Sequence, residues 1–429
     1  MVIIVRVVRY LFLQVHGCAR NKFMPVNILD IPAEAPKNIK TPSLWIWGCL
    51  LVLTVIVYAA FFLGFFSSFL SKNPYIFWSE LLLIPFLLWG GVFCFRLLLW
   101  NSQNLEISYW NSTRENFYQE LLKKGRVNFD IVDVMVKFPN LDGAIKDQVN
   151  NSLVPVRYTP KDTHMARYLA FKSAINNCDD KEQCEDRAES LSYKMIPDLL
   201  DELYVQLNFL PENTKIKILC SFSSRLQDLL KKFWLDRIES IFPFLNIQFC
   251  NNLSESLDAW LDEEKDEHLI IIASRLYDDE LITDYVDNQS EALVLLFGKK
   301  NFNTKHNRAS LGGLYRPEID WEGVGKSLIW GGISPNNRLS GVLYSGLSDK
   351  EKNDIVLKTS NVMSDDALMS FNYINTDDFL CLCPPVTEFL QIKYAKEYLE
   401  AGHYLLVNKH QDSLVSYFFT LNADERNRQ

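Results

Sequence analysis

Two apolar stretches, Leu44 to Leu70 and Ile76 to Trp100, stand out near the start of a chain that elsewhere mixes apolar and polar positions. The first carries no charged residue and exceeds the roughly 20 residues a helix needs to cross a hydrocarbon core. The second is similar, with Glu80 near its start and Arg96 near its end, where side chains reach the headgroups. Trp45, Trp47, Trp78 and Trp100 mark the edges as an interfacial aromatic belt does. Both stretches are predicted transmembrane helices. Pro85 and Gly90-Gly91 predict a kink or a close helix contact in the second.

Beyond Trp100 the pattern changes to that of a water-soluble domain. Ser112 to Lys124 predicts a short juxtamembrane helix, capped at Ser112 or Thr113 and ended by Gly125. Val127 to Val136 predicts a strand. A helix is expected from about Glu182 to Leu207, with Leu191, Met195, Leu199, Leu203 and Leu207 at four-residue steps and Pro197 as a kink. From Lys215 strands and helices alternate: strands at Lys215–Phe222, Leu245–Phe249, His268–Ala273 and Ala292–Phe297, helices at Ser224–Phe242 and Leu253–Glu263. The polar, glycine-bearing interval Gly298–Val324 predicts a connector. Strands follow at Ser327–Trp330, Leu339–Ser345, Asp378–Cys383, Tyr404–Asn408 and Leu414–Phe419, with helices at Ser348–Thr359 and Pro385–Ala401.

This layout predicts an α/β fold: an N-terminal transmembrane helical hairpin followed by a cytoplasmic mixed α/β domain that fits two similar halves. The expected segments are a disordered leader at 1–42, the hairpin at 43–100, a helical and α+β region at 101–212, the α/β domain at 213–422 and a disordered tail at 423–429. Translation from Met24 explains the apolar but arginine-interrupted first residues, an amphipathic interfacial segment being the alternative.

Charge adds orientation and excludes partners. Arg20, Lys22, Lys37 and Lys40 precede the first apolar stretch, Arg114, Lys123, Lys124 and Arg126 follow the second, and Lys72 lies between. The positive-inside rule therefore places both termini in the cytoplasm of a bacterial inner membrane. After residue 100 the chain holds 36 Lys+Arg against 50 Asp+Glu, a formal charge of about -14. Anionic lipid and nucleic acid repel such a domain, so protein partners are expected, with a homo-oligomer also open. Cys178, Cys184, Cys220, Cys250, Cys381 and Cys383 lack disulfide-framework spacing, which suits a reducing compartment.

Candidate chemistry is sparse. Glu322-Gly323-Val324-Gly325-Lys326-Ser327 ends like a phosphate-binding loop, but Asp320 stands where the first glycine belongs. A strand rather than a helix is expected after it. Cys381 and Cys383 would share one strand face without further metal ligands. The histidines form no pair at metal spacing; His268 is read as a cap at a sheet edge. Asp262–Glu267 and Asp278–Glu280 lack the glycine of a calcium loop. No cofactor and no metal are expected. Tyr315, Arg316 and Trp321 form a candidate interaction loop, because these residue types anchor interfaces.

One stretch carries a resemblance. A strand ending at Cys250, a helix from Leu253, an apolar strand from His268, then Ser290-Glu291-Ala292 opening another strand resembles the first half of thiolase and ketoacyl-synthase folds. The resemblance implies that Cys250 takes roughly the place of the nucleophile. It also implies a histidine in the second half, where Asp377 to Pro385 has none. The layout as a whole looks like accessory membrane proteins of type VI secretion systems, on the Tyr109 to Glu115 segment and the hairpin. The leading expectation is therefore a non-enzymatic, membrane-anchored scaffold whose domain docks a protein partner. The alternatives are an acyl-transfer or acyl-binding enzyme using Cys250, and a channel subunit that oligomerises through Gly90-Gly91.

Overall fold

A computed structural model describes residues 31–36, 39–65, 74–138, 159–161, 164–166, 168–169, 171, 187–207, 210, 214–221, 245–263, 265–276, 289–301, 310–333, 338–360, 372–378, 380, 385–410 and 413–423. The chain divides into two compact units, Asn27–Leu121 and a second built from Leu122 onward.

The first unit contains α1 (Leu44–Phe65) and most of α2 (Pro74–Gly125), both long and apolar enough to cross a membrane. No break separates a juxtamembrane helix: α2 runs through Ser112 and Thr113 without a cap. Between Trp100 and Gly125 the sequence has no proline or glycine, so the change from apolar to polar side chains alters the preferred solvent and leaves the helix intact. Trp89 donates to the Trp47 carbonyl at 3.0 Å, and Trp47 and Trp89 each lie against Phe93. A methyl group at Gly90 or Gly91 would meet nothing within 4 Å among the described residues, so neither glycine serves a close contact with them.

The described residues of the leader run along α2 and are hydrogen-bonded to it. Asn111 bonds both the N–H and the carbonyl of Ala35, Asn104 accepts from Ile39, Trp100 donates to the Ile39 carbonyl and Arg114 donates to the Pro32 carbonyl. Polar side chains on one face of α2 thus satisfy the backbone of an extended segment that has no ladder of its own.

The second unit repeats one topology twice. Its first half comprises β1 (Asn128–Lys137), the short strands β2 (Thr159–Lys161), β3 (His164–Ala166) and β4 (Tyr168–Leu169), α3 (Arg187–Leu207), β5 (Ile216–Ser221), β6 (Leu245–Phe249), α4 (Leu253–Asp262), β7 (His268–Arg275), β8 (Gln289–Ser290) and β9 (Ala292–Asn301). Its second half comprises β10 (Gly312–Leu314), β11 (Glu318–Ile319), α5 (Asp320–Trp330), β12 (Gly341–Ser345), α6 (Asp349–Ser360), β13 (Asn372–Asn375), α7 (Thr387–Tyr398), β14 (Gly402–His410) and β15 (Ser413–Leu421).

Strand order across the large sheet is β13-β12-β14-β15-β10-β1-β9-β7-β5-β6. Counting each half's long strands from its own first, β1 or β10, both halves read third, second, fourth, fifth, first. In both, the fifth strand runs antiparallel to its neighbours and the second pairs parallel with the third and fourth. The halves meet where Phe129, Asp130 and Ile131 of β1 pair with Leu314, Gly313 and Gly312 of β10.

The period of two along the strands explains the layering. On β7, Leu269, Ile271 and Ala273 join one apolar cluster while Ile270 and Ile272 join another. The second cluster holds Met195, Ile196, Leu199 and Leu203 of α3, so α3 covers the outer face of the first half. The first cluster joins α4 and α7 to inner-facing residues of both halves, from Phe129 and Leu296 to Tyr417 and Phe419. Two helices are therefore buried between two half-sheets.

Several sequence expectations are corrected here. The interval Gly298–Val324 is no connector where it is described: it holds the end of β9, then β10, β11 and the start of α5. Ser327–Trp330 is helix, not strand, because a four-residue apolar run cannot distinguish the two periods. Asp378–Cys383 is not a strand where described: Thr376–Asp378 is a 3-10 turn after β13. The sheet begins at β1, well before Lys215. The helix expected at Ser224–Phe242 lies outside the described residues.

Two contacts fix the end of α5, one on β15 and one on β11. Gly331 faces Phe418 so closely that an added Cβ would lie 2.3 Å from its ring. The buried Glu318 carboxylate accepts from Trp330 Nε1 at 2.6 Å, and burial pushes this acid up to about 7 against that hydrogen bond's pull.

Gly331→Ala is expected to lower stability by about 1–3 kcal/mol through overpacking on the Phe418 ring, measured by denaturant unfolding. Glu318 binds its proton more readily folded than unfolded, so its contribution is complete below the unfolded value of 4.5 and is lost as pH rises through about 7. Glu318→Gln should therefore exceed the parent in stability by roughly 3 kcal/mol at pH 8, and the gap should close near pH 4. An unchanged gap between those two pH values would contradict this account.

Candidate functional site

α4 is the best-defined element between the half-sheets, and local sequence dictates both of its ends. At its start Asn252 accepts from the Glu255 N–H, and Glu255 in turn accepts from the Asn252 side-chain amide, a reciprocal cap. At its end Lys300 donates to the carbonyls of Trp260, which also accepts from the capping Glu263 N–H, and of Glu263 itself. Arg316 binds Asp258 at 2.6 Å and also Asp262, one turn apart on the same helix face. Burial pushes Asp258 up to about 6 against the pull of Arg316, and pushes Lys300 down to about 8.

Cys250 follows β6 directly and precedes the Asn252 cap by two residues. It is buried at 6 % exposure, and its thiol donates to the Cys220 carbonyl at 3.3 Å. Burial raises its pKa, outweighing a lowering hydrogen bond from Ser256. Cys250 is thus a protonated thiol at neutral pH, outside the helix turn whose N–H groups favour a thiolate.

Further along, the first turns of the two buried helices converge. Ser254, the second residue of α4, lies 2.7 Å from the Tyr417 hydroxyl on β15. Glu388, the second residue of α7, acts on the same phenol and, after burial, its charge is the main influence holding it un-ionised. All three are buried: Ser254 at 7 %, Tyr417 at 0 % and Glu388 at 3 % exposure. Reading the sequence by motif missed this group, since Ser254 and Glu388 stand in no recognised spacing and meet only through the duplicated topology.

The other sequence candidates fall elsewhere. Tyr315 and Arg316 are buried, Arg316 inside the ion pairs that hold α4, so neither presents an interaction surface; Trp321 is half-buried on α5. Gly325-Lys326-Ser327 lies inside α5 with Ser327 bonded to Ser416, and offers no loop of free amides. His268 is no edge cap: β7 lies between β5 and β9, and its ring stacks on Phe297. His403 pairs with Thr420 and stacks on Phe418. Cys178, Cys184, Cys381, Cys383 and Asp278–Glu280 lie outside the described residues.

No family model matches the chain, and no curated protein matches it. Solved structures do. A type II PKS ketosynthase in complex with its acyl-carrier protein is similar at TM-score 0.45 and 12 % identity, over 69 % of this chain and 99 % of that one. The tetronic acid condensing enzyme AbyA1 is similar at TM-score 0.40 and 12 % identity, over 68 % and 100 %. The 3-oxoacyl-[acyl-carrier-protein] synthase III of Aquifex aeolicus VF5 follows at TM-score 0.32 and 12 % identity, over 68 % and 99 %. These likenesses concern the fold, a mixed α/β architecture of the kind expected from the strand-Cys250-helix resemblance. One expectation is corrected: the similar structures are a condensing enzyme, a ketosynthase and an acyl-carrier-protein synthase, and they lend no support to the reading as a non-enzymatic scaffold.

Alkylation of Cys250 by iodoacetamide in the folded protein should be slow at pH 7 and rise steeply as pH passes the ordinary thiol range, by about tenfold per pH unit while the thiol stays mostly protonated. Mass spectrometry of the modified peptide reads the rate; fast labelling at pH 7 would contradict the burial argument.

Proposed function

We propose that the second unit handles an acyl thioester, by acyl transfer or acyl binding, at the opening of α4 between Cys250 and Ser254. The observation that carries this reading is the chain's own duplication. Each half places a helix between its third and fourth strands, the two helices are buried together, and their first turns bring a hydroxyl, a phenol and a carboxylate into contact. A hydroxyl beside a group able to take its proton is the arrangement nucleophilic acyl transfer needs. The strand-to-helix junction at Cys250 is where the resemblance to thiolase and ketoacyl-synthase folds implies reaction. We further propose that α1 and α2 anchor this unit in a bacterial inner membrane with both termini cytoplasmic, on the lysine and arginine distribution around the hairpin.

The test uses the full chain in mild detergent with acetyl-CoA and octanoyl-CoA. Release of free CoA thiol above the detergent blank, or saturable binding by calorimetry, is expected for at least one of them. Neither turnover nor binding with either thioester would overturn the reading.

A further inference from the structure

Two groups at the opening of α4 could accept an acyl group, and the geometry distinguishes them. The Cys250 thiol is spent on the Cys220 carbonyl and lies ahead of the helix cap. The Ser254 hydroxyl lies within the first helical turn, 2.7 Å from the Tyr417 hydroxyl. The Glu388 carboxylate acts on the same phenol and favours its neutral form. Either oxygen can donate in the bond between Ser254 and Tyr417, and the reactive arrangement is the one in which Ser254 donates. In that arrangement its proton lies on the side of Tyr417 and Glu388, and its lone pairs are left for an electrophile.

We propose that Ser254 Oγ is the atom that accepts the acyl group, with Tyr417 and Glu388 as the relay that takes its proton. The proposal rests on the acyl-thioester reading above and names the acceptor within it. In the step, Oγ attacks the thioester carbonyl, an O–C bond forms and the C–S bond breaks. The Ser254 proton passes to Tyr417 while the Tyr417 proton passes to Glu388. The departing thiolate takes a proton back from the Glu388 carboxylic acid, so one oxygen ester and one free thiol are formed without any oxidant. Glu388 comes from the second half and Ser254 from the first, so the relay exists only where both halves are folded together. Asp258, one turn beyond Ser254, adds negative charge beside Tyr417 and further disfavours a phenolate, which keeps the phenol a conductor of protons rather than a resident base.

The full chain is incubated with octanoyl-CoA, denatured, split into two portions, and one portion is treated with neutral hydroxylamine, which cleaves thioesters and spares ordinary oxygen esters. Peptide fragmentation then locates the adduct. An octanoyl group on Ser254 that survives hydroxylamine is expected. It should be absent from Ser254→Ala and should form about 100-fold more slowly in Tyr417→Phe and Glu388→Gln, the lower range for loss of general-base assistance. Thermal unfolding of each variant establishes that it is folded; if the Tyr417 or Glu388 variant is not, Ser254→Ala, which removes a single oxygen, decides. An adduct on Cys250 that hydroxylamine removes would overturn this proposal while leaving acyl transfer in place. Thiol release or binding with no adduct on either residue would also overturn it, and absence of turnover, binding and adduct together would overturn both.

Discussion

Helices buried between two half-sheets have no water to satisfy their polar groups, and the second unit is organised around that constraint. Each end of α4 is met by a side chain from elsewhere in the fold or from its own first turn: Asn252 and Glu255 at the start, Lys300 at the closing carbonyls. α7 is treated the same way. Gln391, in its interior, exchanges two hydrogen bonds with Asn408 of β14 and gives a third to Thr376. Lys396, nearer its end, reaches Asp133 of β1 at 2.8 Å and so ties a helix of one half to a strand of the other.

Charged groups in such a place cost several kcal/mol each to desolvate, and pairing returns only part of that. Their value lies in direction. An apolar helix face can rotate or slide against a sheet with little penalty, whereas Arg316 held between Asp258 and Asp262 fixes both the rotation and the height of α4. The consequence reaches the other end of the same helix. Ser254 sits one turn from Asp258 on the same face, so whatever locks the aspartate also sets the hydroxyl against Tyr417. Structural cost and site geometry are carried by a single ten-residue helix.

Much of this architecture was legible in the residues. The strands at Leu245, His268, Tyr404 and Leu414 and the helix at Leu253 follow from apolar runs bounded by turn residues. The double-sided apolar character of Leu269 to Ile272 correctly marked a strand covered on both faces. What escaped has physical reasons. β10 and β13 are three or four residues long and owe their extended form to neighbours rather than to propensity. α5 was broken by its glycines on paper, yet Gly323 sits where a Cβ would press on Glu318 at 2.8 Å, so the residue that reads as a helix breaker is there for close packing. Arg316 reads as an exposed anchor until its two carboxylates, more than fifty residues earlier, are brought beside it. The group at Ser254 is invisible in sequence for the same reason, since its members come from three elements.

The separation along the chain between Ser254 and Tyr417, 163 residues, also bears on how the protein is made. At about 5–20 residues per second, a ribosome delivers Tyr417 on the order of 10–30 s after Ser254 has emerged. During that interval α4 has its cap but not its phenol, and the inner apolar cluster lacks Val415, Tyr417, Phe419 and Leu421 of β15. β15, the last strand in the described chain, pairs with β14, β10 and β11 at once, so its arrival closes the second half and covers the first in one event. A ribosome stalled shortly before Ser413 would therefore hold a nascent chain with an open apolar face and an unassembled relay, and a chaperone that recognises such faces would meet this protein late in its synthesis rather than early.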